Sequence, residues 1–371
     1  MKQIIYADNA ATTKLDIEAF EAMKIYLLDD YSNPSQPYSF SRNSKRAIKE
    51  ARKIIADCIN AEPDEIYFTS GGSESDNWAI KGIVSIGAKG EVLTSEIEHH
   101  AVLNACQSLA GKGITISYVK PTKEGVITKS VLKDAVSDNT KLVSIMFVNN
   151  EVGTIQPIKE LCDEAHKSGA LFHTDAVQAV GHLKIDVKEL GIDLLSASAH
   201  KFNGPKGIGF LYIKKGLPIA SFIDGGAQEN GYRAGTENVA SIIGMAVALK
   251  NNCANIEKNA SYIKELEQLV LTNIGETPYF RNGGDNILSG IMSLSFPNME
   301  GEALLHRLDL MGIMVSTGAA CDSVKTQISH VLSALGVKED LAKGTIRISL
   351  GKNNTKEEAC QIGLALRKII G

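Results

Sequence analysis

A chain of 371 residues, 44% of them hydrophobic, is long enough to bury a large core and to divide into two domains. A formal charge of −4 with no long Lys/Arg block argues against a dedicated nucleic-acid surface, and apolar runs no longer than strands, such as Ile145–Val148, argue against a membrane span. The six cysteines (58, 106, 162, 253, 321 and 360) contain no Cys-x-x-Cys pair, so neither a zinc knuckle nor a disulfide framework is expected. Met1-Lys2-Gln3 opens into ordered-looking sequence, and a soluble, cytoplasmic protein is expected.

The first clear element is a helix over Ser41–Asn60, where Ala47, Ile48, Ala51, Ile54, Ile55, Cys58 and Ile59 form one apolar stripe. A strand at Ile66–Thr69 runs into Ser70-Gly71-Gly72-Ser73 and then a helix carrying Trp78 and Ile80. Glycines that let backbone N–H groups approach an anion, followed by a helix N-terminus, make a plausible phosphate cup. Further strands are expected at Glu91–Thr94, Ile114–Val119, Leu142–Val148, Ala170–Thr174, Asp193–Ala197 and Ile208–Ile213, alternating with amphipathic helices. That rhythm predicts an α/β domain around a mainly parallel sheet. After Gly235 a long helical run reaches into the 260s. Strands at Ile291–Phe296 and Thr345–Leu350, interleaved with helices at Glu302–Met311 and Glu357–Ile370, then predict a smaller C-terminal α+β domain.

The chemistry-bearing residues sit at the ends of these strands. Lys201 follows Ser198-Ala199-His200 among small residues, where a lysine can carry a Schiff base, and Asp175 ends the strand that contains His173. An amine that forms an imine and an acid that holds a pyridinium nitrogen are the two protein groups that pyridoxal 5'-phosphate (PLP) chemistry needs. His99, after Glu98, suits stacking on a pyridine ring and moving protons. His99, His173, Asp175 and His200 also form a candidate ion site, although Lys201 would then lie beside a cation. Val148-Asn149-Asn150-Glu151 places two amides at the end of the most apolar strand, as a buried polar site requires. Cys321 follows the small-residue run Ser316-Thr317-Gly318-Ala319-Ala320 and precedes a stretch without apolar period. It reads either as a thiol on a mobile loop or as an incidental loop cysteine.

Taken in order, Tyr6–Thr13, Asn33-Pro34, Ser70–Ser75, Glu98-His99, Asn149–Glu151, Asp175–Gln178, Ser198–Lys201, Arg233–Glu237, Ser316–Cys321 and Arg347 resemble the NifS/IscS-type cysteine desulfurases. These belong to the class V aminotransferase family of fold type I PLP enzymes. The resemblance implies a large PLP-binding domain over 15–255 with a seven-stranded, mainly parallel sheet. A small domain formed by 1–14 and 256–371 would carry the catalytic cysteine loop.

The resemblance also assigns roles. Lys201 would hold the cofactor, Asp175 would pair with its ring nitrogen, and His99 would stack on the ring and transfer protons. Gln178 and Asn150 would lie at the phenolic oxygen and the substrate. Gly72, Ser73, Ser198, His200 and, from the other subunit of a homodimer, Thr236 would bind the phosphate, and Arg347 the substrate carboxylate. Cys321 would take sulfur from L-cysteine as a persulfide, leaving L-alanine, and pass it to an acceptor such as an iron–sulfur scaffold or thiolation enzyme. The alternative is a selenocysteine lyase or another class V aminotransferase. Gln36, Tyr38 and Ser41 replace the family's Ser, His and Gly near the N-terminus, and Asp322 replaces the Thr after the catalytic cysteine. An acid at that position opposes thiolate formation.

Overall fold

The computed structural model describes residues 4–86, 90–317 and 328–371. In chain order the first elements are β1 (Ile5–Tyr6), α1 (Ile17–Leu28), α2 (Arg42–Cys58), β2 (Ile66–Thr69), α3 (Gly72–Ile86), β3 (Glu91–Ser95), α4 (His100–Ala110), β4 (Thr115–Val119) and α5 (Lys129–Ala135). Then come β5 (Thr140–Ser144), α6 (Ile158–Lys167), β6 (Leu171–Asp175), α7 (Val187–Leu190), β7 (Leu194–Ser198), β8 (Gly209–Ile213), α8 (Val239–Cys253) and α9 (Ile256–Ile274). The last are β9 (Phe280–Asn282), β10 (Ile291–Ser295), α10 (Gly301–Leu310), β11 (Ile313–Met314), α11 (His330–Ala334), α12 (Glu339–Lys343), β12 (Thr345–Ser349) and α13 (Lys356–Ile370).

Seven strands form one sheet in the order β2-β8-β7-β6-β5-β3-β4, and β8 alone runs antiparallel to its two neighbours. Every residue of β3, β7 and β8 is buried, as expected for strands covered by helices on both faces. The stripe read on α2 is the face that packs inward, with Ile48, Ala51 and Ile55 buried. The cofactor-class fold expected from the sequence, α/β with a mainly parallel seven-stranded sheet, is the fold observed.

Two predicted boundaries need correction. The strand expected over Leu142–Val148 stops at Ser144, although Ile145 and Phe147 still donate backbone hydrogen bonds to the carbonyls of His173 and Asp175 at 3.1 and 2.8 Å. Beyond Ser144 the chain is still buried but turns towards the bridge between Val148 and Ile155. The helical run after Gly235 is two helices, α8 and α9, meeting at 74°.

The C-terminal part is built on the antiparallel sheet β12-β10-β9, with α9 and α13 packed together over a core that includes Leu266, Val270, Phe296, Ile346 and Leu366. The N-terminal segment joins this core. β1 pairs with β11, and Asn9 N–H reaches the Ser349 carbonyl at 3.0 Å, which carries Asp8 to Thr12 across the C-terminal ends of the parallel strands. Among the described residues no single helix is long and apolar enough to cross a membrane.

Candidate active site

The C-terminal ends of parallel strands are where open α/β sheets present ligands, and here β6 and β7 end at one cavity of about 300 Å³. β7 is followed by a single tight turn, Ala199–Lys201, that aims the lysine into this space. Its Nζ donates to the carbonyls of Ala10 and Ala11 at 2.5 and 2.8 Å, so the N-terminal segment forms a lid of backbone over the amine. Asp175 is the last residue of β6, buried, and accepts the Val177 N–H at 2.9 Å. Burial raises the pKa of its carboxyl, while His99, that N–H and Lys201 act in the opposite direction.

His99 caps the N-terminus of α4. Its Nδ1 accepts the Ala101 N–H at 3.1 Å, which leaves the proton of the neutral ring on Nε2. Burial lowers its pKa, Asp175 opposes this, and Lys201 and His100 add to the lowering. A neutral imidazole with a fixed tautomer therefore faces the cavity.

The predicted phosphate cup opens from the same cavity. Gly72, Ser73, Ser198, His200 and Ala11 line both the main cavity and an adjoining open cleft. A Cβ at Gly72 would lie 2.6 Å from the Val177 side chain, and Gly71 has a φ of +149°, so this turn needs both glycines. Burial first, then Lys201 and Lys206, lower His200 to about 4, and its Nδ1 lies 3.2 Å from the Thr12 hydroxyl.

Gln178 and Asn150 line the cavity as well, Gln178 being held by a 2.9 Å hydrogen bond from its amide to the Ala10 carbonyl. Asn149 turns away. Its side chain accepts the N–H groups of Glu151 and Val152 and donates to the Ile97 carbonyl, fixing the loop that presents Asn150. Arg347, on β12, is buried in the wall and donates to the Asn150 carbonyl at 2.9 Å and to Asp8 at 2.8 Å, with its Nε unpartnered among the described residues.

One predicted residue is not in this cavity, and another is assigned neither to it nor away from it. Thr236 lines a separate cleft with Ser70, Gly207 and Arg233, and Cys321, like Asp322, lies outside the described residues. The loop of Gln36, Tyr38 and Ser41 is also elsewhere, closed by Ser41 hydroxyl bonds to the Gln36 and Tyr38 carbonyls at 2.6 and 2.8 Å.

The ion site weighed from sequence does not assemble among the described residues, where no group of three His, Cys, Asp or Glu side chains is arranged to hold a metal. His173 is instead engaged by the hydroxyls of Ser144 and Ser196 at 2.8 and 3.0 Å.

Sequence reasoning missed four participants. Asp8 orients Arg347, and Glu74 joins the cup to Arg233 at 2.8 Å. Asp76 lines the cavity, and Glu98 is buried behind it, accepting from the Ser95 hydroxyl and the Met146 N–H. A signal existed for Asp76: four residues after Gly72, it shares that residue's helix face.

A half-buried lysine and a buried acid at the carboxyl edge of a mainly parallel sheet are the amine and acid that fold type I PLP-dependent enzymes use. The aminotransferase class-V family model matches residues 5–362, and the chain belongs to that family. It is 47% identical over 362 residues to a cysteine desulfurase IscS of Methanosarcina thermophila, covering 96% of this chain and 90% of the relative. A solved NifS-like protein superposes with a TM-score of 0.94 at 36% identity, covering 99% of both chains. Another solved structure, SspA in complex with cysteine, gives a TM-score of 0.85 at 37% identity, covering 96% of this chain and all of the other.

The cofactor of the class is PLP, and the residues fit it. One cavity offers an amine, an acid, an imidazole of fixed tautomer and a glycine turn at a helix N-terminus. The last of these is a ready phosphate site.

Proposed function

We infer that the chain is a PLP-dependent cysteine desulfurase that converts L-cysteine to L-alanine and transfers the sulfur to Cys321. The observation that carries this reading is the convergence of Lys201, Asp175 and His99 on one cavity, in a chain related to cysteine desulfurases over nearly its whole length. Bound PLP supplies an electron sink that labilises bonds next to the substrate's amino carbon. Lys201 would hold the cofactor, and its amine is placed to move the substrate's Cα proton. Asp175 would keep the ring nitrogen protonated, and His99 would face the ring and pass protons through Nε2. Gly72, Ser73, Ser198 and His200 hold the phosphate, Gln178 and Asn150 orient the ring oxygen and substrate, and Arg347 takes the substrate carboxylate.

The sulfur step balances within the chain. The Cys321 thiolate attacks the substrate sulfur, the Cβ–S bond breaks with its electron pair left on carbon, and that carbon takes a proton. The products are L-alanine and a Cys321 persulfide, ready for an acceptor protein of the iron–sulfur scaffold or thiolation type.

The active unit is a homodimer in which Thr236 of each chain completes the phosphate site of the other. Two observations support this: Thr236 does not line the Lys201 cavity of its own chain, and α1 with the following loop exposes Ile17, Leu27, Leu28 and Tyr31. The division into 15–255 and 1–14 plus 256–371 is supported by the separate buried core of Ile5, Ala7 and residues from Ile263 onwards. A reducing, cytoplasmic setting accords with the five free cysteines among the described residues.

The test is Cys321→Ser. The purified variant should keep the cofactor's absorbance and still bind cysteine, yet form no persulfide and release no sulfide. Unchanged sulfide release would remove Cys321 from the reaction. Co-expression of Lys201→Ala with a strongly impaired Thr236 variant should return activity to up to about half the sites of each mixed dimer. No recovery in a verified, PLP-loaded heterodimer would mean that each site is built from one chain.

A further inference from the structure

The cavity wall holds a second acid to which no role above applies. Asp76 lies one turn into α3 and lines the same cavity as Asp175. It is 1% exposed, and its Oδ1 has no hydrogen-bond partner among the described residues. The groups that face it come from each packed element: Asp175 and His173 from β6, Ser196 from β7, and Glu98 from the turn after β3. None supplies a positive charge. His173 Nε2 is 3.6 Å from Asp76 Oδ1, beyond hydrogen-bond reach. Both nitrogens of that ring already face serine hydroxyls, and burial lowers its pKa to about 3, so the ring is neutral.

Asp175 is placed differently. It accepts the Val177 N–H, and both His99 and Lys201 favour its charged form. Two carboxyls in one buried site do not both ionise readily, and the proton settles on the one without compensation. We propose that Asp76 is a positioning residue for Asp175: it stays a neutral carboxylic acid in the cavity wall and, by keeping the proton of the pair, leaves Asp175 as the ionised partner of the cofactor ring. The inference rests on the reading of Asp175 as that partner. Burial, reinforced by the Asp175 carboxylate, also holds the Asp76 pKa far above the ordinary carboxylate range, against the opposing effect of the Ser196 hydroxyl.

The experiment is isotope-edited infrared spectroscopy of the PLP-loaded enzyme with 13C-labelled aspartate carboxyls. The wild type should show a protonated aspartate band at neutral pH. Asp76→Asn, which keeps shape and neutrality, should lose that band. Asp175→Asn should keep it but titrate it at a pH lower by roughly one unit or more, because the neighbouring charge is gone. No band in the wild type, a band that survives Asp76→Asn, or an unmoved titration in Asp175→Asn would overturn the proposal. In the same Asp175→Asn sample, unchanged cofactor absorbance and PLP affinity would instead overturn the reading of Asp175, and the proposal with it. A missing wild-type band with both of those altered overturns the proposal alone.

Discussion

The cavity has two halves, and they are built in opposite ways. One half is the carboxyl edge of the large sheet, where Asp175 and Ser198 end their strands and Lys201 and Gly72 lie within three residues of strand ends. The other half is stitched together from distant chain. Arg347 meets Asp8 across 339 residues and the Asn150 carbonyl across 197, and the Lys201 amine meets Ala10 across 191. Groups on the first half are fixed by largely buried strands and suit chemistry that tolerates little displacement. Groups on the second half reach position only when the N-terminal segment and the small C-terminal sheet close over the large one, which suits recognition of the substrate.

The largest effect tests the first half. Lys201→Ala should bring alanine formation below about one-thousandth of wild type, the scale of a lost proton-transfer group, with PLP bound, if at all, non-covalently; a rate assay with added PLP checks it. Arg347→Ala tests the second half. It should weaken cysteine binding by roughly 2–5 kcal/mol, part of that being the penalty of leaving Asp8 without its cation. PLP affinity should change far less. Equal losses in the two titrations would erase the distinction between the halves. Asp8→Asn should act in the same direction but by only about 1.5–3 kcal/mol in cysteine titrations, since one charge-assisted hydrogen bond to the guanidinium is weakened.

The last effect is on stability rather than activity and concerns Glu98, beneath the chemical half. Burial raises its carboxyl from 4.5 to about 8, opposed by the Ser95 hydroxyl and the Met146 N–H and reinforced by Asp175. A folded-state pKa above the unfolded value means that the folded protein holds a proton the unfolded chain has lost. The contribution is therefore complete below pH 4.5 and falls as pH rises to about 8. Glu98→Gln should flatten that fall, measured as urea midpoints at pH 5 and pH 8. An unchanged slope would show that Glu98 is ionised in the folded protein.

The chemical half was the legible one, for a physical reason. Strand ends carry their own markers, a β-rich run stopping at small residues, so the expectations at Ile66–Thr69, Ala170–Thr174 and Asp193–Ala197 fall within a residue of the observed strands. The apolar run Ile145–Val148 misled, because burial continues there while regular pairing stops. β1, β9 and β11 have two or three residues each and show no period to read. Arg347 was reached only through the resemblance, and its tie to Asp8 exists only through the closure of the chain's two ends. Asp76 and Glu98 sit beside residues that drew attention. Their burial, which gives them their chemistry, has no local signature in the sequence.

The most direct test of the account asks which amine the cavity uses. Borohydride reduction of the PLP-loaded enzyme, followed by peptide mapping, should place the reduced cofactor on the peptide containing Ser198-Ala199-His200-Lys201, and the label should vanish from that peptide in Lys201→Ala. A reduced cofactor on any other lysine of the wild-type enzyme would contradict it.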